Sequence, residues 1–363
     1  MSAGDFTKTM SVISIINQKG GCGKTTTTIN LAATLAFQGK KVLIIDFDPQ
    51  GHSCLGLGID ENRVRYSVLD AINGEVPVET ATLHANQNLS VLPSNVSLAS
   101  LEQTLSGVDG REFALHKTIE EYKQQFDFVF IDCPPHLGIL SINALLASDK
   151  IIIPVEPSKF GLDGLQKLEQ TIEILCQKAN HQLETKYLLS LFDIDSDFSN
   201  TFARKMQRDF GERLFNTKIH RSSVIREATQ AGKPVVDFDQ HSISFIDFMS
   251  LAQEIAVWEN KAILEKIVIE GNFQPQKTAI GVCFMLENPK ARSVQLSGSF
   301  NNWVPENTPL SKAKEGLWYT ILPLDGGTYE YQYVVDGKYT TDPNNPQVQT
   351  SKFGVTQSVV EIH

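Results

Sequence analysis

The stretch Gln18-Lys19-Gly20-Gly21-Cys22-Gly23-Lys24-Thr25-Thr26 brings glycines, hydroxyls and two lysines within one short loop. Glycines leave backbone N–H groups free to face a phosphate chain. The Lys24 ammonium can reach β- and γ-phosphates, and the Thr25 hydroxyl can ligate Mg²⁺. The pattern meets GxxxxGK[ST] once Lys19 is accepted at its first position. A phosphate cradle needs only one ammonium, so Lys19 asks for a second explanation. Two acidic motifs follow: DFDPQG with Asp46 and Asp48, and FVFIDCPP with Asp132.

Such groups need a scaffold. SVISII, KVLIID, FDFVFID and KIIIPV are near-continuous apolar runs, suited to parallel strands buried on both faces. Helical spacing separates them, as in TTTINLAATLAFQGK, where Gly39 supplies a stop. The alternation predicts an α/β fold, a doubly wound and mostly parallel sheet, with the loop opening a helix whose dipole adds to phosphate attraction. Asp48 then falls just past the carboxyl end of a strand, where open α/β sheets bind ligands.

After Gly271 the period changes to two. VCFML, SVQLSGSF, LWYTILPL and YEYQYVVDGKYT, punctuated by Gly, Pro, Asn and Asp, predict an all-β, immunoglobulin-like sandwich. The expected organisation is a phosphate-loop α/β domain over 1–270, a polar linker over 271–276 and a β domain over 277–363.

With 363 residues, two domains are the natural division. The formal net charge of −10 excludes a protein that coats nucleic acid by bulk charge and leaves room only for a local basic patch. The five cysteines form no CxxC pair, which argues against a disulfide framework or structural zinc and for a reducing, cytoplasmic setting. No leader pattern opens the sequence, and no run approaches the roughly 20 apolar residues of a membrane span.

KGGCGKTT resembles the deviant Walker A loop of the ParA/MinD ATPases. With VLIIDFDPQGHSCLGLG, the likeness to the ParA/Soj branch runs from Ser11 to about Val257. The resemblance implies ATP and Mg²⁺ as cofactors, a homodimer formed on ATP binding and a stimulating partner protein. Gly20, Gly21, Cys22, Gly23, Lys24, Thr25 and Thr26 would hold the nucleotide. Lys24 would serve its own ATP and Lys19 the neighbour's, tying hydrolysis to dimerisation. Asp48 would position the attacking water on the metal side, with Thr25 and Asp132 toward Mg²⁺; Pro134 and Pro135 would begin the switch loop. Cys133 alone cannot hold an iron–sulfur cluster and is read as a small buried residue.

IHRSSVIREATQAGKPV resembles the family segment that lies beside adenine and contributes to non-specific DNA binding. It implies nucleotide contacts for His220 and Arg221, and DNA contacts for Arg221, Arg226 and Lys233. Two departures oppose DNA: His220 replaces a proline, and Asp195 stands where many relatives place an arginine. The apolar stripe in ISFIDFMSLAQEIAVWENKAILEKIVIE is expected to pack on the ATPase core rather than a membrane.

SVQLSGSFNNW and the strands after it resemble the glycogen- and starch-binding domains of AMP-activated kinase β subunits and branching enzymes. That implies glycogen or another α-glucan as partner, with Trp303 and Tyr339 stacking on sugar rings, Gln332 bonding hydroxyls, and Phe353 and Gln357 closing the site. The competing reading is a protein-docking sandwich with Trp303 in its core. Two functions stay open: a positioning ATPase that moves cargo on DNA, and an assembly switch anchored to polysaccharide or protein.

Overall fold

The computed structural model describes residues 10–158, 161–259, 267–269, 271–278, 281–305, 308–312, 316–322, 324, 326–350 and 354–362. The chain divides into two compact units, Met1–Met249 and Ser250–His363.

The first unit is built on an eight-stranded sheet in the order β3-β4-β2-β5-β1-β6-β7-β8. Its strands are β1 (Ser11–Ile15), β2 (Val42–Asp46), β3 (Leu83–His84), β4 (Leu89–Leu92), β5 (Phe128–Asp132), β6 (Lys150–Val155), β7 (Glu184–Phe192) and β8 (Leu214–His220). Only β3 runs antiparallel, at the edge. β1, β2, β4 and β5 are buried along their whole length. That is why their sequences read as near-continuous apolar runs rather than alternating. β1 lies between β5 and β6, so its carboxyl end opens at the middle of the sheet. The chain turns there into the helix Lys24–Phe37. The buried hydroxyl of Ser14 is satisfied by Ser148 at 2.7 Å and Ala144 O at 3.1 Å, so the strand carries no orphaned polar group there.

The second unit holds two antiparallel sheets. One has the order β12-β13-β10-β9, the other β11-β14-β17-β16 with β15 on β14. The strands are β9 (Gln276–Thr278), β10 (Gly281–Glu287), β11 (Val294–Gly298), β12 (Ser311–Lys312), β13 (Leu317–Leu322), β14 (Gly327–Val335), β15 (Lys338–Thr340), β16 (Val348–Thr350) and β17 (Thr356–Ile362). Phe284, Leu286, Leu296, Trp318, Tyr331, Tyr333 and Val360 form the shared core. This is the expected β-sandwich, with one correction. VCFML does not alternate between core and solvent. Phe284 faces the sandwich core, while Cys283 and Met285 pack with Leu317 and Ile321 against Val257 and Ile267.

That second layer also moves the boundary. The units divide at Met249/Ser250, inside the helix Ile243–Glu259, and not at the Gly271–Gln276 segment. Val257 and Ile267 bury their side chains on the outer face of a β-sheet, which assigns them to the second unit and not to the ATPase core. Among the described residues, no helix is long and apolar enough to cross a membrane.

Candidate phosphate-binding site

Gly21 and Gly23 adopt left-handed backbone angles, φ +72° and +90°, which a side chain would strain. No atom lies within 4 Å of where a Cβ on Gly20 or Gly21 would be, so the loop is held open by backbone conformation rather than by packing. Its base is fixed from a distant strand: Ser190 Oγ on β7 donates to Cys22 O at 2.7 Å. Cys22 is buried, and desolvation pushes its thiol pKa up, against the lowering influence of Lys24. The thiol is thus unreactive, and its backbone is what the loop uses.

Lys24 opens the helix and is only 7% exposed. Its Nζ donates to Lys19 O at 3.3 Å, so the ammonium is preset inside the loop it would serve. One residue on, Thr25 Oγ1 donates to Asp132 Oδ2 at 2.6 Å, and Thr28 Oγ1 reaches Asp132 Oδ1 at 3.4 Å. Thr26 O accepts from Asn30 Nδ2 at 2.8 Å, and Asn30 Oδ1 accepts from Val235 N at 2.7 Å, tying the helix to the segment after Lys233.

Asp132 and Asp46 are directly paired in the register of β5 and β2. Both are buried. Desolvation raises the Asp46 pKa to about 6, opposed by hydrogen bonds from Ser53. Desolvation, then the charge of Asp46, holds Asp132 well above the usual carboxylate range. Asp46 Oδ2 accepts from Ser53 N at 2.8 Å and Oδ1 from Asp48 N at 3.2 Å, a structural role that shapes the turn. Asp48 is half-exposed beyond the strand, where Oδ1 accepts from Gln50 N at 3.0 Å. Hard oxygen donors gathered beside a threonine hydroxyl suit Mg²⁺ and not a soft metal.

Lys19 stands at the rim. Its N–H donates to Asn17 Oδ1 at 3.0 Å, and its Nζ contacts Glu156 Oε2 at 2.5 Å. The other Glu156 oxygen accepts from Arg221 Nη2 at 3.3 Å, so one carboxylate holds both cations. Glu156 escaped the sequence reading, although a lone acid directly after the buried run KIIIPV was its signal. His220 ends β8 and is bound to Asp247, another residue the sequence reading missed.

Arg221, Arg226 and Lys233 are all exposed, and the helix Ser223–Gln230 that carries Arg226 is capped by Ser222 Oγ. Asp195 is exposed too, and Arg221 N donates to Phe192 O at 2.8 Å at the base of the same loop. An acid and an arginine therefore leave neighbouring strand ends, and the surface there is mixed in charge.

In the second unit Trp303 is half-buried on a turn with φ +61°, its N–H donating to Gly298 O at 2.9 Å. Trp318, not Trp303, is the tryptophan of the described core. Tyr339 is 55% exposed on β15. Gln332 departs from the expectation of a free amide: it is 8% exposed, and its Nε2 donates to Thr356 O at 3.0 Å. Gln357 Oε1 is buried with no hydrogen-bond partner among the described residues. Phe353 lies outside the described residues.

Comparison with known proteins agrees with both halves. A family model described as an AAA domain matches residues 10–185, and one described as the glycogen recognition site of AMP-activated protein kinase matches residues 283–363. The sporulation initiation inhibitor protein Soj of Bacillus subtilis strain 168 is 37% identical over 247 residues, covering 68% of this chain and 98% of Soj. The cobyrinic acid a,c-diamide synthase of Mycobacterium smegmatis, solved with an ATP analogue and magnesium, is similar with a TM-score of 0.61 at 28% identity, over 70% of this chain and 97% of that one. The septum site-determining protein MinD of Pyrococcus horikoshii, complexed with Mg-ADP, gives 0.58 at 27% identity, over 70% and 98%. The chain belongs to the ParA/Soj family of ParA/MinD-type partitioning ATPases, with a glycogen-recognition-like β domain behind it.

Proposed function

We propose that this chain is a cytoplasmic switch that binds ATP with Mg²⁺, dimerises on it and hydrolyses it. The observation that carries this reading is the division between its two lysines. Lys24 is buried within the loop beside the Thr25–Asp132 pair, whereas Lys19 is exposed at the rim with its ammonium on the carboxylate of Glu156. A buried ammonium serves the chain's own phosphates, and a rim ammonium can serve another's. Loop N–H groups from Gly20 to Thr26 bind the phosphate chain, and His220 and Arg221 border the nucleoside side. Thr25, Asp132 and Asp48 supply oxygens toward Mg²⁺, which when bound draws charge from the phosphoryl oxygens. Asp48, at the mouth, orients the attacking water and takes its proton. Lys19 leaves Glu156 for the triphosphate of a second copy and cancels the charge that develops there, so hydrolysis waits for dimerisation.

The switch positions a cargo, and the β domain offers Trp303 and Tyr339 as stacking surfaces for an α-glucan such as glycogen. Arg221, Arg226 and Lys233 would hold non-specific DNA. A second reading, an assembly switch anchored to polysaccharide or protein without DNA, is favoured by exposed Asp195 on the loop that leaves β7, next to the strand end carrying Arg221, and by the ion pair that engages Arg221 with Glu156. A stimulating partner protein completes either cycle. A DNA mobility assay with ATP at two salt concentrations separates them: a salt-sensitive shift supports the first, and its absence at low salt the second.

A further inference from the structure

A second concavity lies at the other end of the strand that steadies the phosphate loop. The helix Gly161–Ala179, the first residues of β7 and the turn Gly211–Arg213 line a cleft of about 510 Å³, within the range of small-ligand pockets. Glu184 lines it at the start of β7, and Ser190, which holds the loop at Cys22 O, follows six residues later. At about 3.3 Å per strand residue, the cleft stands about 20 Å from that contact.

Its floor is apolar. Ile172 belongs to the core of the first unit, and Cys176 and Leu183 pack half-buried against that core. Desolvation raises the Cys176 thiol pKa, so the sulfur stays neutral and belongs with the floor. The helix ends where Asn180 turns left-handed at φ +48°, and His181 N donates to Cys176 O at 2.9 Å. From there the His181 ring reaches Ser148 O through Nε2, at 2.8 Å. A carbonyl only accepts, so Nε2 carries the proton and Nδ1 of the neutral ring is an acceptor.

The charges around this floor are unequal. Arg213 Nη1 donates to Glu169 Oε1 at 2.7 Å, and the Tyr187 hydroxyl donates to the same oxygen. The guanidinium also lies over the Tyr187 and Phe210 rings, so that cation is matched. Glu173 on the helix and Glu184 on the strand remain, and the lining carries three glutamates against one arginine. Gln177 and Gln182 add amide oxygens to the acceptors. An apolar trough with excess negative charge on two separate elements fits an aliphatic chain bearing several positive donors.

We propose that this cleft binds a short linear polyamine, its methylenes on Ile172, Cys176 and Leu183 and its ammonium groups on Glu173 and Glu184. No residue of the site belongs to the phosphate loop, so the proposal stands apart from the nucleotide reading.

Isothermal titration of the full chain with spermidine, without nucleotide, tests it. One saturable site is expected, weaker at about 0.3 M salt than at about 0.05 M because the contact is largely Coulombic. A diol of similar length keeps the methylenes without the charge and should not bind. Glu173→Gln should weaken spermidine about fivefold, the upper worth of an exposed ion pair. Gln177→Lys sets an ammonium of the chain's own in the lining and should weaken it at least as much. Glu102→Gln, which removes an exposed acid elsewhere, should change nothing. A wild type that ignores spermidine, or that binds the diol as well, overturns the proposal. So does a folded Glu173→Gln or Gln177→Lys protein that binds like wild type. Equal weakening by Glu102→Gln and Glu173→Gln also overturns it, leaving only attraction to the chain's overall negative charge.

Discussion

The phosphate loop and the β domain's aromatic candidates Trp303 and Tyr339 differ in how their chemistry is held. In the loop nearly every group is fixed by another: Thr25 by Asp132, Lys24 by Lys19 O, Cys22 O by Ser190, and Lys19 by Glu156. In the β domain the aromatic candidates are fixed mainly by backbone. Trp303 stands on a left-handed turn and Tyr339 on a short exposed strand, while Gln332 turns inward to Thr356 O. A site for charged phosphates must be preorganised, because unpaired charges are costly to gather. A face for neutral sugars can rest on exposed rings, because stacking asks only for area and orientation. The difference teaches that a buried network holds the phosphate loop, whereas the aromatics proposed for glucan stand exposed or half-buried on turns and a short strand.

The largest expected effect breaks the first side of that contrast. Asp48→Ala removes the carboxylate proposed to orient water and leaves the loop's phosphate contacts in place. Hydrolysis should fall by about 10²–10⁴ while ATP binding persists and the dimer accumulates. Lys24→Ala should act on binding instead, weakening ATP by roughly 30- to 5,000-fold, the range for truncating one partner of a buried charge pair. Isothermal titration and phosphate release distinguish the two variants; equal loss of ATP binding in both would contradict the division of roles.

The second side is tested on glucan. Trp303→Ala should reduce co-sedimentation with glycogen by about 5- to 150-fold, by analogy with aromatic stacking on bases, and leave ATP hydrolysis unchanged. Normal glycogen binding by a folded variant would remove Trp303 from the site. Gln332→Ala gives the smallest effect and sharpens the contrast. Its amide is engaged internally, so the variant should lose about 1 kcal/mol of stability in denaturant titration and little glucan affinity. A large loss of glucan binding at unchanged stability would return Gln332 to the sugar site.

What was legible in the sequence follows the same line. Gly21, Gly23, Lys24 and Thr25 fall within one short stretch, and their chemistry dictates their order, so the loop could be read directly. Asp132 could be read because a buried strand ends on it. Ser190 and Asp247 could not, since they reach the site across 168 residues to Cys22 and 27 to His220, and Glu156 showed only as a lone acid after KIIIPV, 137 residues from its partner Lys19. The division at Met249/Ser250 was hidden for a related reason. VCFML reads as one sandwich strand, and only the fold shows that its second face is covered by Val257 and Ile267.

The central claim is that Lys19 works across a dimer. Sizing chromatography of Lys19→Ala with a slowly hydrolysed ATP analogue and Mg²⁺ tests it most directly, with Glu156→Gln alongside. Lys19→Ala should bind the analogue and elute as a monomer, whereas Glu156→Gln, which frees the ammonium, should form the dimer at a lower protein concentration than wild type. A wild-type dimer peak from Lys19→Ala would contradict the claim.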